Sequence, residues 1–117
     1  MSYLPGTHII ASLQAENNDL LYLHHEFREK INSLIEHFDL RKLGEVYHDF
    51  VPAGFTAVIC LSESHISIHT WPEHNLVNLD IYLSNFQRNN DGTVENIYRA
   101  VRDFFKATVT KEQIIIR

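Results

Sequence analysis

The segment Leu61-Ser-Glu-Ser-His-Ile-Ser-Ile-His-Thr-Trp-Pro-Glu73 lies near the middle of a chain of 117 residues. Apolar and polar side chains alternate through it, which is typical of a β-strand with one buried face. Ile66 and Ile68 are expected on that buried face, and the opposite face is expected to carry His65, Ser67, His69 and Trp71. Residues 72–75 predict a turn, and the alternation resumes over residues 77–83. The segment therefore predicts an antiparallel pair of strands with one polar face.

The sequence on either side predicts four more strands and two helices. The strands are expected at residues 7–13, 43–50, 55–61 and 113–116. The first helix is expected to be capped by Asn17-Asn18-Asp19 and to end near Phe38, and the second to start at Thr93. The order β-α-β-β-β-β-α-β predicts an α+β fold, an antiparallel sheet with both helices on one face. The other face must be covered by water, a ligand or another protomer.

Bulk composition limits the classes of function. The chain length predicts a single domain, and a formal charge of −5 leaves no basic surface for nucleic acid. Cys60 is the one cysteine, so no internal disulfide forms and a reducing cytoplasm is expected. The first seven residues lack the pattern of a signal peptide, and no apolar run approaches the ~20 residues of a membrane span. A cytoplasmic protein without membrane contact is the expectation.

A family resemblance rests on Glu63-Ser64-His65, followed by His69 and Trp71-Pro72-Glu73. This pattern closely resembles the self-cleavage and active-site segment of the prokaryotic S-adenosylmethionine decarboxylases, and a weaker resemblance runs from Gly6-Thr7-His8 to the last strand. The resemblance implies a proenzyme that is cleaved into residues 1–63 (beta chain) and 64–117 (alpha chain). It also implies a homodimer of processed protomers that pack sheet to sheet, with both active sites at the interface.

The chemistry of decarboxylation explains why a serine stands at the cleavage point. Loss of carbon dioxide from an amino acid leaves a carbanion, which a ketone stabilises through a Schiff base with the substrate amine. No side chain is a ketone, so the resemblance implies that Ser64 is converted to a pyruvoyl group, the self-generated cofactor. Its hydroxyl attacks the Glu63 carbonyl to give an ester. Elimination of the Glu63 carboxylate, then loss of ammonia, leaves the pyruvoyl group.

Two further residues match the family's processing residues. His69 matches the processing base and is expected to lie across a tight bend from Ser64. Thr56 matches a hydroxyl residue that assists the acyl shift, although β-propensity alone also explains a strand threonine. A metal centre is not expected, because His65 and His69 would lie about 13 Å apart along a strand.

The resemblance also implies a substrate site for S-adenosylmethionine. Glu73 matches the acid that accepts hydrogen bonds from the ribose hydroxyls. Phe50 matches the aromatic residue that stacks on the adenine and attracts the sulfonium charge. Trp71 contributes either a second aromatic wall or ordinary packing, and His65 is assigned to the substrate-binding group.

The chain departs from the family pattern at Ser84, where the family has the cysteine that protonates the carbanion. Cys60 lies too far along its strand to replace it. Slower turnover, or more conversion of the pyruvoyl group to alanine, is therefore expected. The favoured interpretation is a decarboxylase that supplies the aminopropyl donor for spermidine. A repurposed arginine or ornithine decarboxylase, or an unprocessed regulatory paralogue, stays open.

Overall fold

The computed structural model describes residues 3–86 and 88–117. In these residues six strands and two α-helices follow one another as β1 (Thr7–Ala15), α1 (His25–His37), β2 (Lys42–Asp49), β3 (Phe55–Leu61), β4 (Ser64–Trp71), β5 (Leu76–Leu83), α2 (Asp91–Phe105) and β6 (Ala107–Ile116). The strands form one antiparallel sheet in the order β2-β3-β4-β5-β1-β6. The predicted α+β class and element order are confirmed.

Both helices cover the same face of the sheet. Phe27 of α1 stacks on Phe105 of α2 with ring centroids 6.1 Å apart and also packs against Phe55 of β3. The strands turn their apolar side chains towards the helices, and these are almost fully buried: Ile9, Leu13, Ile59, Ile66, Ile68, Val77, Ile81 and Leu83. Burial of these side chains, at about 1.5–3 kcal/mol each, fixes which face of β4 remains open.

The first helix begins later than the sequence predicts. Asn17-Asn18-Asp19 precedes only a short 3-10 turn at Asp19–Leu21, and α1 begins at His25. The carbonyls of Leu21 and Tyr22 accept hydrogen bonds from the Thr70 hydroxyl (2.8 Å) and the Gly54 N–H (3.0 Å). These two carbonyls are therefore satisfied by residues distant in sequence, and they do not accept the hydrogen bonds that would continue the helix towards the N-terminus.

The last strand is longer than the four residues predicted. Lys106 ends α2 in the left-handed conformation, with φ 49°, and the chain returns at once as β6. β6 pairs with β1 over nearly its whole length, from Thr7↔Ile116 to Ala15↔Ala107. β6 is an edge strand, and its first six residues (107–112) include only one large apolar side chain, Val109, so they lack the apolar signal used to find the other strands.

The open face of the sheet carries the polar side chains that the alternation predicts. His65, Ser67 and His69 of β4 point away from the helices. Three apolar side chains, Ile10, Val46 and Val58, are also exposed there, by 39, 66 and 46%. In the described part of the chain, no helix is long and apolar enough to cross a membrane.

Candidate active site

Ser64 occupies a strained backbone position at the tip of a hairpin. Leu61 of β3 pairs directly with Ser64 of β4, so that only Ser62 and Glu63 form the turn. The φ angle of Ser64 is 144°, a region that residues with a Cβ rarely adopt. Such a conformation costs about 1–3 kcal/mol and persists only where surrounding contacts enforce it. The Glu63–Ser64 peptide bond is therefore held in a geometry that the free chain would avoid.

The Glu63 side chain is one of those enforcing contacts. Its carboxylate is only 15% exposed and accepts hydrogen bonds from Arg88, at 3.1 Å, and from the buried Asn90 amide. Arg88 also donates to the carbonyl of Asp39, at 2.8 Å, beyond the end of α1. The side chain before the predicted cleavage point is thus fixed between two other parts of the fold.

The Glu63 carbonyl, which the predicted reaction attacks, has a donor in place. The backbone N–H of Ser84 donates to this oxygen at 2.7 Å. The Ser84 carbonyl in turn accepts from the Asn90 amide at 2.8 Å. An N–H held at such a distance stabilises the negative charge that develops on a carbonyl oxygen under attack. The structure therefore brings Glu63, Ser64 and Ser84 together.

A histidine contacts the Ser64 hydroxyl directly. Nδ1 of His65 lies 3.1 Å from Oγ of Ser64. Beside His65, the buried His8 is paired through Nε2 with a carboxylate oxygen of Asp80 at 2.5 Å. Burial lowers the pKa of the His65 imidazole, and the nearby His8 and Arg117 lower it further, against the opposing effect of Asp80. His65 is therefore favoured as a neutral imidazole at neutral pH.

We call Glu63, Ser64, His65 and Ser84 the cleavage cluster.

The side chains of His8, His65 and Asp80 are of the types that bind metal ions. One ligating atom from each of His8, His65 and Asp80 lies within 4.8 Å of the others. Two contacts oppose a cation there: His8 already uses Nε2 on Asp80, and Nη1 of Arg117 lies 3.2 Å from His8 Nδ1. A guanidinium at that distance fits the hydrogen-bonded form of the network better than a metal-bound one.

A second group of predicted residues surrounds a cavity at the other end of β4. The cavity has a volume of about 320 Å³. It is lined by His69, Phe50, Trp71 and Glu73, with the buried Phe55 ring among the other lining residues. Thr56 lies beside it, with Oγ1 2.5 Å from Nδ1 of His69. We call Phe50, Thr56, His69, Trp71 and Glu73 the pocket cluster.

The tight bend expected between Ser64 and His69 is absent from the described chain. Both residues belong to β4, which runs without a break from Ser64 to Trp71. Five residues of extended strand place them about 16 Å apart. The prediction was wrong because the turn lies before Ser64, at Ser62 and Glu63. Within one protomer, His69 cannot reach the Ser64 hydroxyl.

The structure places His65 at the cleavage cluster, and its assignment to substrate binding stays a prediction. It contacts Ser64 and is not among the residues that line the pocket of about 320 Å³. Several neighbours of the cleavage cluster were not predicted at all: His8, Arg88, Asn90 and Arg117. For His8, its place on the same face of β1 as Ser12 was a usable signal.

Comparisons with known proteins agree with the sequence resemblance. Residues 7–117 match the family model described as S-adenosylmethionine decarboxylase. An S-adenosylmethionine decarboxylase proenzyme of Archaeoglobus fulgidus is 35% identical over 112 residues, which cover 96% of each chain. A proenzyme of the same name from Aquifex aeolicus is 42% identical over 77 residues, 66% of this chain and 57% of that relative.

A solved structure has the same fold. The crystal structure of the adenosylmethionine decarboxylase from Aquifex aeolicus superimposes with a TM-score of 0.79 at 27% identity. The superposition covers 99% of this chain and 91% of that one.

Proposed function

The chain belongs to the S-adenosylmethionine decarboxylase family, and from this we propose that it is a pyruvoyl-dependent decarboxylase made as a proenzyme. In this proposal it cleaves itself between Glu63 and Ser64 and then acts on S-adenosylmethionine, supplying an aminopropyl donor for spermidine. The observation that carries the proposal is the cleavage cluster, where a strained serine, a polarised carbonyl and an imidazole converge on one peptide bond.

The residues around Ser64 fit its conversion to a pyruvoyl group. The Ser84 N–H stabilises the oxyanion as Ser64 Oγ adds to the Glu63 carbonyl carbon. Cleavage releases the strained conformation of Ser64. Arg88 and Asn90 keep Glu63 in place as it becomes the new chain end. Once formed, the pyruvoyl group supplies the electron sink that decarboxylation requires.

The separation of the two clusters supports a homodimer with shared active sites. A two-fold axis that lies parallel to the sheet and perpendicular to β4, above Ser67 on the open face, would bring the two open faces together and set opposite ends of β4 against each other. Ser64 of one protomer would then face His69 of the partner subunit, and the arrangement would occur twice. The exposed Ile10, Val46 and Val58 on this face would be buried by such packing.

The pocket cluster fits the substrate's nucleoside. Phe50 and Trp71 are each 48% exposed and border the cavity, where they offer ring faces to an adenine and to a neighbouring sulfonium charge. The Glu73 carboxylate lies at the same cavity and can accept from both hydroxyls of a ribose. In the shared site, this pocket would present the substrate to Ser64 of the partner subunit.

Release of labelled carbon dioxide tests the substrate. We expect release from S-adenosylmethionine, and we expect Glu73→Ala to raise KM by a factor that corresponds to about 1–3 kcal/mol of lost hydrogen bonding. Glu36→Ala, on the exposed side of α1, is the matched control and should leave KM unchanged. Release from arginine or ornithine, with none from S-adenosylmethionine, would replace this proposal by the repurposed enzyme.

A further inference from the structure

We propose that His65 is the base that activates Ser64 for the first step of self-cleavage, the shift of the Glu63 acyl group from nitrogen to oxygen. This inference rests on the proposed function, because it assigns a residue to the self-cleavage that the function requires. Its geometric basis is the distance of 3.1 Å between His65 Nδ1 and Ser64 Oγ in one protomer. A general base needs hydrogen-bond contact with the proton that it removes.

Within one protomer, His69 cannot act in this step, because it is too far from Ser64 and because its Nδ1 is already hydrogen-bonded to Thr56. It lies about 16 Å along the strand from Ser64, and its Nδ1 is engaged by the Thr56 hydroxyl at 2.5 Å. In the shared site, His69 of the partner subunit would approach Ser64 from the facing sheet. It is then free to act in the later step, removal of the Ser64 Cα proton. The two histidines would thus act in different steps, His65 in ester formation and His69 in removal of the Ser64 Cα proton.

The surroundings of His65 suit a base. The titratable and charged groups that face it are Cys60 from β3, His8 from β1, Asp80 and Tyr82 from β5, and Arg117 beyond β6. Partial burial with His8 and Arg117 nearby keeps the ring neutral and able to accept a proton. The Asp80 carboxylate, held by His8 and within 4.8 Å of a ligating atom of His65, stabilises the imidazolium once it forms. The hydroxyl and the imidazole are thus paired as in other activated hydroxyl nucleophiles, and the Asp80 carboxylate, hydrogen-bonded to His8, acts on His65 through its charge.

The step balances with these groups alone. As Ser64 Oγ bonds to the Glu63 carbonyl carbon, its proton passes to His65, and the carbonyl oxygen becomes an oxyanion held by the Ser84 N–H. Collapse of this intermediate breaks the carbon–nitrogen bond. The imidazolium returns the proton to the Ser64 nitrogen, which leaves an ester and a free amine. No oxidant, metal or external proton donor is consumed.

Hydroxylamine distinguishes the two steps, because it cleaves the ester but not the starting amide. We expect purified His69→Ala proenzyme to accumulate a full-length ester that hydroxylamine splits into residues 1–63 and 64–117. We expect His65→Ala and His65→Gln to stay resistant, with ester formation slowed by about 10²–10⁴-fold. His25→Ala, at the exposed first residue of α1, is the control and should cleave like the wild type.

Two further measurements separate a base from a merely structural residue. Added imidazole should accelerate ester formation in His65→Ala, because it replaces the missing proton acceptor. In the wild type, the rate of ester formation should fall on acidification with a midpoint below the ordinary histidine value of about 6.5. The pH profile needs no substitution, so it tests the assignment even where a variant fails to fold.

Several outcomes would overturn the assignment. Ester formation at the wild-type rate in either His65 variant would do so, and so would a His69→Ala chain that stays wholly resistant. A slow His65→Ala variant without imidazole rescue would reduce His65 to a structural role. A wild-type chain that forms neither ester nor fragments would instead remove the proposed self-cleavage itself, and this inference with it.

Discussion

At the scale of the residue, Ser84 stands where the sequence resemblance places the cysteine that protonates the carbanion. Its backbone holds the Glu63 carbonyl, and its half-buried side chain borders a cavity of about 500 Å³ together with Glu63 and Arg88. The backbone N–H is independent of the side chain. A change of side chain at residue 84 should therefore affect proton donation to the carbanion and leave the oxyanion contact intact.

Ser84→Cys is expected to leave self-cleavage largely unchanged and to raise kcat. A thiol with a pKa of about 8.5 is a much stronger acid than an aliphatic hydroxyl, and a placed acid typically contributes 10²–10⁴-fold. Turnover assays measure kcat, and mass spectrometry of the 64–117 fragment measures conversion of the pyruvoyl group to alanine, which should decrease. No change in either quantity would mean that another group protonates the intermediate.

Alternation along β4 sufficed to predict that His65 and His69 share a face, because side-chain parity is a local property of a strand. The contact of His8 with Asp80 was not predictable in the same way. It depends on the register of β1 against β5, in which His8 pairs with Tyr82, and that register is set by the core. The pairing of Thr56 with His69 likewise follows from the β3–β4 register.

At the scale of the element, the start of α1 shows where sequence signals fail. The sequence contains a cluster of capping residues at Asn17-Asn18-Asp19, but the helix starts at His25. The Asp49 carboxylate, from the end of β2, accepts hydrogen bonds from the His24 N–H at 2.9 Å and from His24 Nδ1 at 3.0 Å. A cap supplied by another element cannot be predicted from the residues next to the helix. The helical spacing of apolar residues from Phe27 onwards could be predicted, because it is local.

Asp49→Ala is expected to lower the free energy of unfolding by about 0.5–2 kcal/mol, the usual loss for a helix cap. Asn17→Ala should have little effect, because among residues 3–86 and 88–117 its side chain hydrogen-bonds only to the N–H of Asp19, in an exposed turn. Asp49→Asn keeps an acceptor oxygen and should fall between the two. Urea unfolding followed by circular dichroism measures all three. If the Asn17→Ala and Asp49→Ala variants lost equal free energy of unfolding, the Asn17-Asn18-Asp19 segment would be a helix cap after all.

At the scale of the whole molecule, the two clusters lie at opposite ends of β4. In the proposed dimer, the cleavage cluster of one protomer and the pocket cluster of the other would together form one site. The element order and the polar face were predictable because they follow from local patterns. The separation of Ser64 from His69 was not predictable from the pattern, because it depends on whether the chain turns before or after Ser64.

Mixed dimers test this division. Ser64→Ala and His69→Ala chains with different tags are each expected to lack decarboxylase activity. When they are produced together, His69 of one chain should serve Ser64 of the other, so that activity returns and only the His69→Ala chain is cleaved. Mass spectrometry after sequential tag purification identifies the cleaved chain. A mixed dimer that stays inactive, with both chains intact, would place all of these groups in one protomer.

The intact mass of the purified wild-type chain, measured after prolonged incubation, tests self-cleavage most directly. We expect two fragments, of 63 and 54 residues, the second beginning with a pyruvoyl group and resistant to Edman sequencing. Ser64→Ala should remain a single chain of 117 residues. A wild-type chain that also remains whole would contradict the proposed function and indicate an unprocessed, non-catalytic member of the family.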